Sequence, residues 1–335
     1  SNNGSFSMDG AYKSAIELLG LSLTNLSGAA LDIQNGKRIS VSVKSGTVNY
    51  LADRSNGSQK GCIVCKGHLE FKGKGELTLA GNASHAIYAK EYIELKNCKI
   101  NVISAVKDGI NCNQYFLLES GDLSIAGTGD DGIQVSYKDS QDREAEDTGS
   151  VTIKGGSLKI DITAEAAKGI KCEGDMSISG GEIEISTAGH GIWDSSKNKT
   201  KASACLASDS NITIEGGNLN LRSSGGGGKG INCDGNLSIN LGTVNIHTSG
   251  GVVAYVSGKL YTNYTGNTDR LSSDAKSSPK GIKADGNVTI NGGEISVTTT
   301  GKGAEGIESK SVLTINDGNV TVASTDDAIN SSSHM

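Results

Sequence analysis

One heptapeptide keeps returning along this chain, and that recurrence constrains the fold more than any other feature. "KGIKCEG" at residue 168 comes back as "KGINCDG" at 229 and "KGIKADG" at 280. Looser copies are "DGINCNQ" at 108, "DGIQVSY" at 131, "HGIWDSS" at 190, "EGIESKS" at 305 and "DAINSSS" at 327. A second motif interleaves with it, as in "VTIKGGSLKIDIT" (151), "MSISGGEIEIST" (176) and "VTINGGEISVTT" (288). Anchored on the small residue before the recurring Ile, the copies fall at 62, 86, 109, 132, 169, 191, 230, 251, 281, 306 and 328. The period is 22 to 25 residues, with one step of 21, broken by three insertions. A fixed period of that size is the signature of a solenoid and outranks any local motif.

Inside each repeat the apolar residues alternate, as in "LKIDIT", and Gly-Gly or Asx-Gly pairs separate the runs. Two or three short strands per turn with no helical stretch predict an all-β, right-handed parallel β-helix of about 10–12 coils. The composition agrees with this plan. Glycine is 47 of 335 residues, proline 1 and aromatics 4%, so the core must be built from stacked Ile, Val and Leu rather than from rings. We expect a single domain over residues 1–335, with 1–10 as an N-terminal tail. Polar insertions at about 137–149, 194–210 and 255–279 should protrude as loops.

In "GIKC" alternation puts Ile170 and Cys172 on one face and Lys171 on the other. Since Ile faces inward, the cysteine does too. The equivalent row reads Cys65, Ala89, Cys112, Val135, Cys172, Asp194, Cys233 and Ala254, the places of small core fillers. Its cysteines fall on alternate coils, roughly 9–10 Å apart, beyond the reach of a disulfide, so they should be free thiols. Cys62, Cys98 and Cys205 lie off the row, and a buried thiol says little about redox compartment.

The net charge of -6 argues against a partner that tracks nucleic-acid phosphates. No apolar run approaches the ~20 residues of a membrane-spanning helix, and any export signal is expected to have been removed or to lie outside this sequence. The histidines form neither a nucleophile elbow nor a zinc motif, and "GGGGKG" lacks the order of a phosphate loop.

Two rows carry candidate chemistry. In the row before each anchor, Asp108 and Asp131 lie on successive coils with Asp130 beside them, and "TDDAIN" repeats the pair as Asp326 and Asp327. Two carboxylates about 5 Å apart repel by about 1 kcal/mol in water and about 3 kcal/mol at an effective dielectric of 20. Ca²⁺ would compensate, as would Lys168 on the following coil. In the simplest alternative, Asp-Gly merely makes the turn and its carboxylate caps backbone N–H groups. The outward row after each Ile includes Asn111, Lys171, Trp193 and Asn232. With Lys168 and Lys229, these amides, ammonium groups and one indole suit an extended polysaccharide. An ordinary solvated face reads equally well, and Trp193 could be buried under its own insertion.

The stretches "LSLTNLSGAALDIQNGKRISVSV", "KGHLEFKGKGELTLAGNASHAIYAKEYIEL" and "DGIQV" with "VTIKGGSLKIDITAEAAKGIKCEGDMSISGG" resemble the bacterial carbohydrate-binding-domain-containing proteins, from about residue 11 to the end. The resemblance implies a secreted or surface-attached β-helix with pectate-lyase-like coils that binds cellulose or acidic sugars and carries calcium. Such proteins are often exported lipoproteins, which would suit the polar "SNNGSFS" start. "GDDGI" also resembles the calcium-binding turn of some pectate lyases. Non-catalytic polysaccharide binding outside the cytoplasm is the expected function. The alternatives are a calcium-dependent lyase, with Lys168, Lys171 or Lys229 as base, and a structural or adhesion protein. Aligning "AINSSSHM" with "GIKCEGDM" sets Met335 where a strand should begin, so the chain should end mid-coil. An open edge there would permit end-to-end contact with another chain.

Overall fold

The computed structural model describes residues 3–137 and 144–333. The expectations that fall on Ser1, Asn2 and Met335, and on residues 138–143 of the first insertion, lie outside the described residues. The chain is a right-handed parallel β-helix, with no helix among the described residues, and its contacts divide it into two units.

The first unit comprises Ser1–Ile160 and Cys172–Glu182. Three strands per coil stack into three parallel sheets. The first sheet runs Phe6–Met8, Leu31–Ile33, Gly61–Cys65, His85–Ala89, Ile110–Cys112 and Ile133–Val135. The second begins at Ser14–Leu18 and reaches Ser150–Ile153 and Met176–Ile178, and the third runs from Ser22–Thr24 to Gly121–Ala126. Because register is kept from coil to coil, like sits on like. Leu31, Ile63, Ile87, Ile110 and Ile133 form one interior row. Val41, Phe71, Leu95, Leu118, Ile153 and Ile178 form another. All of these are buried, and each such side chain stabilises the fold by about 1.5–3 kcal/mol. The tail of the sequence reading contains a strand of its own, since Phe6–Met8 pairs with Leu31–Ile33.

The second unit comprises Asp161–Lys171 and Ile183–Met335 and repeats the plan. Leu206, Ile231, Ile282 and Ile307 make its first interior row. The glycine pairs of the second motif have a conformational cause. Gly217, Gly242, Gly293 and Gly318 each hold φ between 92° and 102°, a region only glycine enters freely. Two antiparallel excursions leave the coils. Ile192–Asp194 pairs with Lys199–Lys201, and Val253–Val256 pairs with both Lys259–Tyr261 and Lys276–Ser277.

These excursions correct the row assigned from the sequence. In unit one the row is as expected, with Cys65, Ala89, Cys112 and Val135 in register. In unit two the neighbours of Cys233 are Ser208 and Ala284, not Asp194 and Ala254. Asp194 in that row would have put an unpaired carboxylate in the core. The strand Ala204–Ser208 offers Leu206 and small residues instead, and all five are buried. After Ala254 the chain reverses through Ser257 and Gly258, both at positive φ, and re-enters at Lys280–Ala284.

All seven cysteines are free and buried. Burial pushes the Cys65, Cys98 and Cys233 thiols up to about 11 and those of Cys112 and Cys205 to about 12. The native protein should therefore show no fast-reacting thiol toward a disulfide reagent at pH 8, and seven after unfolding. Gly250 tests the coil spacing. A Cβ there would lie 1.9 Å from the Gly225 carbonyl oxygen, so Gly250→Ala should cost about 1–3 kcal/mol in urea unfolding. Gly36→Ala, which meets nothing within 4 Å, should cost far less.

Candidate functional site

The turn before the strand Ile110–Cys112 sets Asp108 directly under the next coil's Asp131. Oxygens of Asp108, Asp130 and Asp131 lie within 4.8 Å of one another; Asp108 and Asp131 are 3% and 4% exposed, while Asp130 faces solvent. Asp108 Oδ1 accepts the Asp131 backbone N–H at 3.1 Å, and Oδ2 accepts the Asn111 amide at 2.8 Å. Asp108 thus caps the following turn while gathering carboxylates. His85 Nδ1 sits 3.2 Å from Asp108 Oδ2 and 3.3 Å from the Asp108 backbone nitrogen. It can donate to the first only when protonated and accept from the second only when not. Asn111 therefore belongs to this acidic cluster rather than to an open sugar-facing ladder. Asp326 and Asp327 are exposed, and among the described residues they join no such cluster.

Unit two carries a cleft of about 540 Å³ on the outer side of its first sheet. It brings together Lys168, Lys229 and Asn232 from the predicted set, with Lys283, Lys310 and three residues of the excursions, Lys199, Lys201 and Lys276. The sequence reading had set those excursions aside as loops. Strand register explains the crowding of charge: Lys229 pairs with Lys280 on the next coil, and Asn232 with Lys283. Just past these strands Asp209, Asp234 and Asp285, which also line the cleft, follow Ser208, Cys233 and Ala284, which are in register. Burial first, then Asp209 and Asp285, raise the Asp234 carboxyl above its usual range.

Several lysines of this face, including the neighbouring Lys280, already hold a carboxylate. Lys280 reaches Glu305 at 2.5 Å and Glu308 at 3.1 Å, Lys310 reaches Glu308 at 2.5 Å, and Lys283 reaches Asp285 at 2.5 Å. Burial alone would raise the Glu308 carboxyl, but Lys280 and Lys310 hold it below the carboxylate norm. Lys229 differs. Its Nζ hydrogen-bonds the Gly227 carbonyl at 3.1 Å and the Ser277 hydroxyl at 2.8 Å, both neutral. Burial, then the charges of Lys283, Lys280 and Lys168, push it down to about 7. Lys276 likewise bonds a neutral group, the Thr268 carbonyl, at 2.9 Å.

Two predicted sugar contacts sit elsewhere. Lys171 is half-buried on its strand and does not line the cleft. Trp193 stands in the first excursion, with one face stacked on Tyr255 at 4.1 Å between centroids and 6° between planes. Lys201 and the Ser196 hydroxyl hold the neighbouring Asp194 carboxyl well below the usual range, which fixes that turn. Unit one has a smaller groove, about 460 Å³, that the sequence reading missed. There Lys60 lies 4.6 Å from the Tyr88 ring centroid and 3.1 Å from its hydroxyl, beside Gln34, Lys66 and Lys90. Tyr88 follows Ile87 and so faces outward by alternation, but nothing in its own repeat marks the groove.

A family described as carbohydrate-binding domain-containing protein matches residues 2–252 and 272–335. No curated protein matches the chain. Among solved structures, the polysaccharide lyase-like protein from C. thermocellum, a gadolinium derivative, aligns with 71% of this chain and 80% of its own at 20% identity. Its TM-score of 0.47 is too low to carry weight. Among the described residues no helix is long and apolar enough to cross a membrane.

Lys229 has a pH signature. Folded, it titrates near 7, against about 10.4 in an unfolded chain. Between those values the unfolded state binds more protons, so this group makes stability rise with pH across the window. Below pH 7 both states are protonated and the cost of burying the charge is fully present. Melting temperatures at pH 6.5 and 9 should show a larger gain for the native protein than for Lys229→Met. Equal gains would refute the assignment.

Proposed function

Because this chain belongs to the family of carbohydrate-binding domain-containing proteins, we propose that it binds an acidic polysaccharide, without cleaving it, along the lysine-lined cleft of its second unit. The observation that carries this reading is the pair Lys229 and Lys276, whose ammonium groups rest on neutral oxygens inside a cationic cleft. A uronate carboxylate arriving there would give Lys229 the counter-charge that its neighbours withhold. Asn232 and the Asp209–Asp234 wall would meet sugar hydroxyls, amide and carboxylate oxygens accepting from them. No aromatic ring lines the cleft among the described residues, so charge rather than stacking favours acidic glycans over cellulose.

We further propose that Asp108, Asp130 and Asp131 hold a Ca²⁺ ion, their all-oxygen set suiting a hard cation, and that the protein works outside the cytoplasm, where such polymers occur. One observation supports a second reading, elimination. A lysine near pKa 7 is matched to general-base work at neutral pH. It would take the proton α to a uronate carboxyl while the glycosidic oxygen departs, leaving an unsaturated end.

Isothermal titration with oligogalacturonate and cello-oligosaccharides separates these readings. Binding should favour the acidic oligomer and weaken on the order of tenfold as salt rises from 0.1 to 1 M, where the Debye length falls from about 10 to about 3 Å. It should also take up a proton near pH 8, seen as a dependence of the heat on buffer ionisation, and Lys229→Met should abolish that uptake. Growing ultraviolet absorbance from unsaturated ends would replace binding with elimination. Heat from cello-oligosaccharides alone would discard the charge-based account.

A further inference from the structure

The second sheet of unit one carries, at its leading corner, a cluster that the glycan reading does not use. His68, Glu91 and Glu144 present one ligand atom each, all within 4.8 Å of one another. His68 precedes the strand Leu69–Lys72, and Glu91 lies two residues before Ile93–Lys96. Glu144 comes from the inserted segment that leads into Ser150–Ile153. Gln114 completes the group. It aligns with Glu91 one coil on, because Ile93 pairs with Phe116, and its Nε2 donates to Glu144 Oε2 at 3.3 Å.

Gln114 is the anomaly. The residue is fully buried, at 0% exposure, and its Oε1 has no hydrogen-bond partner. A buried amide oxygen left without a donor keeps its full desolvation penalty. Turning the amide over would trade that for an oxygen facing the Glu144 carboxylate, which is worse. The amide is thus held by Glu144 with an oxygen lone pair to spare, beside two carboxylates that repel each other. A single cation would answer both problems. The donors are one imidazole nitrogen, two carboxylates and one amide oxygen. Imidazole suits zinc and its first-row neighbours, whereas calcium prefers oxygen alone. Aromatic stacking holds the imidazole in place: the His68 ring lies 4.4 Å from Tyr92, which lies 4.5 Å from Tyr115. Such support is what a metal-bound histidine needs to keep its orientation.

We propose that His68, Glu91, Glu144 and the Gln114 amide oxygen form a site for a divalent first-row transition ion, one that clips the inserted segment to three successive coils. The site is separate in residues and in donor chemistry from the Asp108 cluster.

Zn²⁺ is the probe, titrated calorimetrically into the full chain after chelator treatment. One Zn²⁺ should bind per chain. His68→Phe, which keeps a ring on Tyr92, and Glu144→Gln, at an exposed position, should each weaken it on the order of tenfold or more. Asp108→Asn should leave it unchanged. A crystal soaked in Zn²⁺ should show anomalous density between His68 and Glu91. No bound zinc, undiminished binding by His68→Phe, or loss confined to Asp108→Asn would each overturn the proposal. Unaltered melting of both variants without metal separates lost ligation from lost folding.

Discussion

Everything in this molecule follows from parallel hydrogen bonding between coils that keep register. Once Ile87 sits on Ile63 and under Ile110, neighbouring positions have no freedom: each residue stacks on its equivalents, about 4.8 Å away. Inside, this favours repetition, because identical aliphatic side chains pack well on one another and need few rings. Outside, it produces rows of like chemistry. A conservative repeat therefore builds its surface charge in lines, and lines of one sign are electrostatically costly.

That cost is visible as perturbed titration in both directions. Lys229 is pushed down to about 7 by burial and by lysines of the same face. In the same cleft Asp234 is pushed up by burial and by aspartates of its own row. Each group is moved toward its neutral form, the response expected when like charges are stacked with too few partners. Where partners exist the direction reverses, as Glu308 shows between Lys280 and Lys310. The cleft is thus a place where the solenoid's own rule leaves electrostatic work undone, and a polyanion supplies the missing charge.

The coil, its period, its inward Ile rows and its free thiols were legible because they depend on local alternation repeated many times. What failed was assignment where two segments offered the same short pattern. "GIW" at 191 imitates the anchor, yet Ala204–Ser208 takes the coil, because burial of Asp194 is a penalty that no counting of spacing reveals. Trp193, read from the sequence either as an outward sugar contact or as a ring covered by its own insertion, stacks on Tyr255. The acidic trio was legible as adjacent coils, but its use of Asn111 as a hydrogen-bond donor was not. His68, Glu91, Gln114 and Glu144 were invisible as a set, since no spacing within one repeat relates four residues drawn from three coils and an insertion.

The insertions also explain how a repeat acquires selectivity. A repeated face offers the same contacts at every coil and cannot by itself mark one location. Lys199, Lys201 and Lys276 interrupt that sameness in the cleft of the second unit, and Glu144 does so beside His68 and Glu91 in the first. Their segments carry chemistry the coils cannot, since a change in a coil position must also satisfy the stack above and below. A change in an excursion need satisfy only its own hairpin. Sites should accordingly collect where excursions fold back over the sheet, with the coil contributing a rigid row and the insertion the residue that breaks its symmetry.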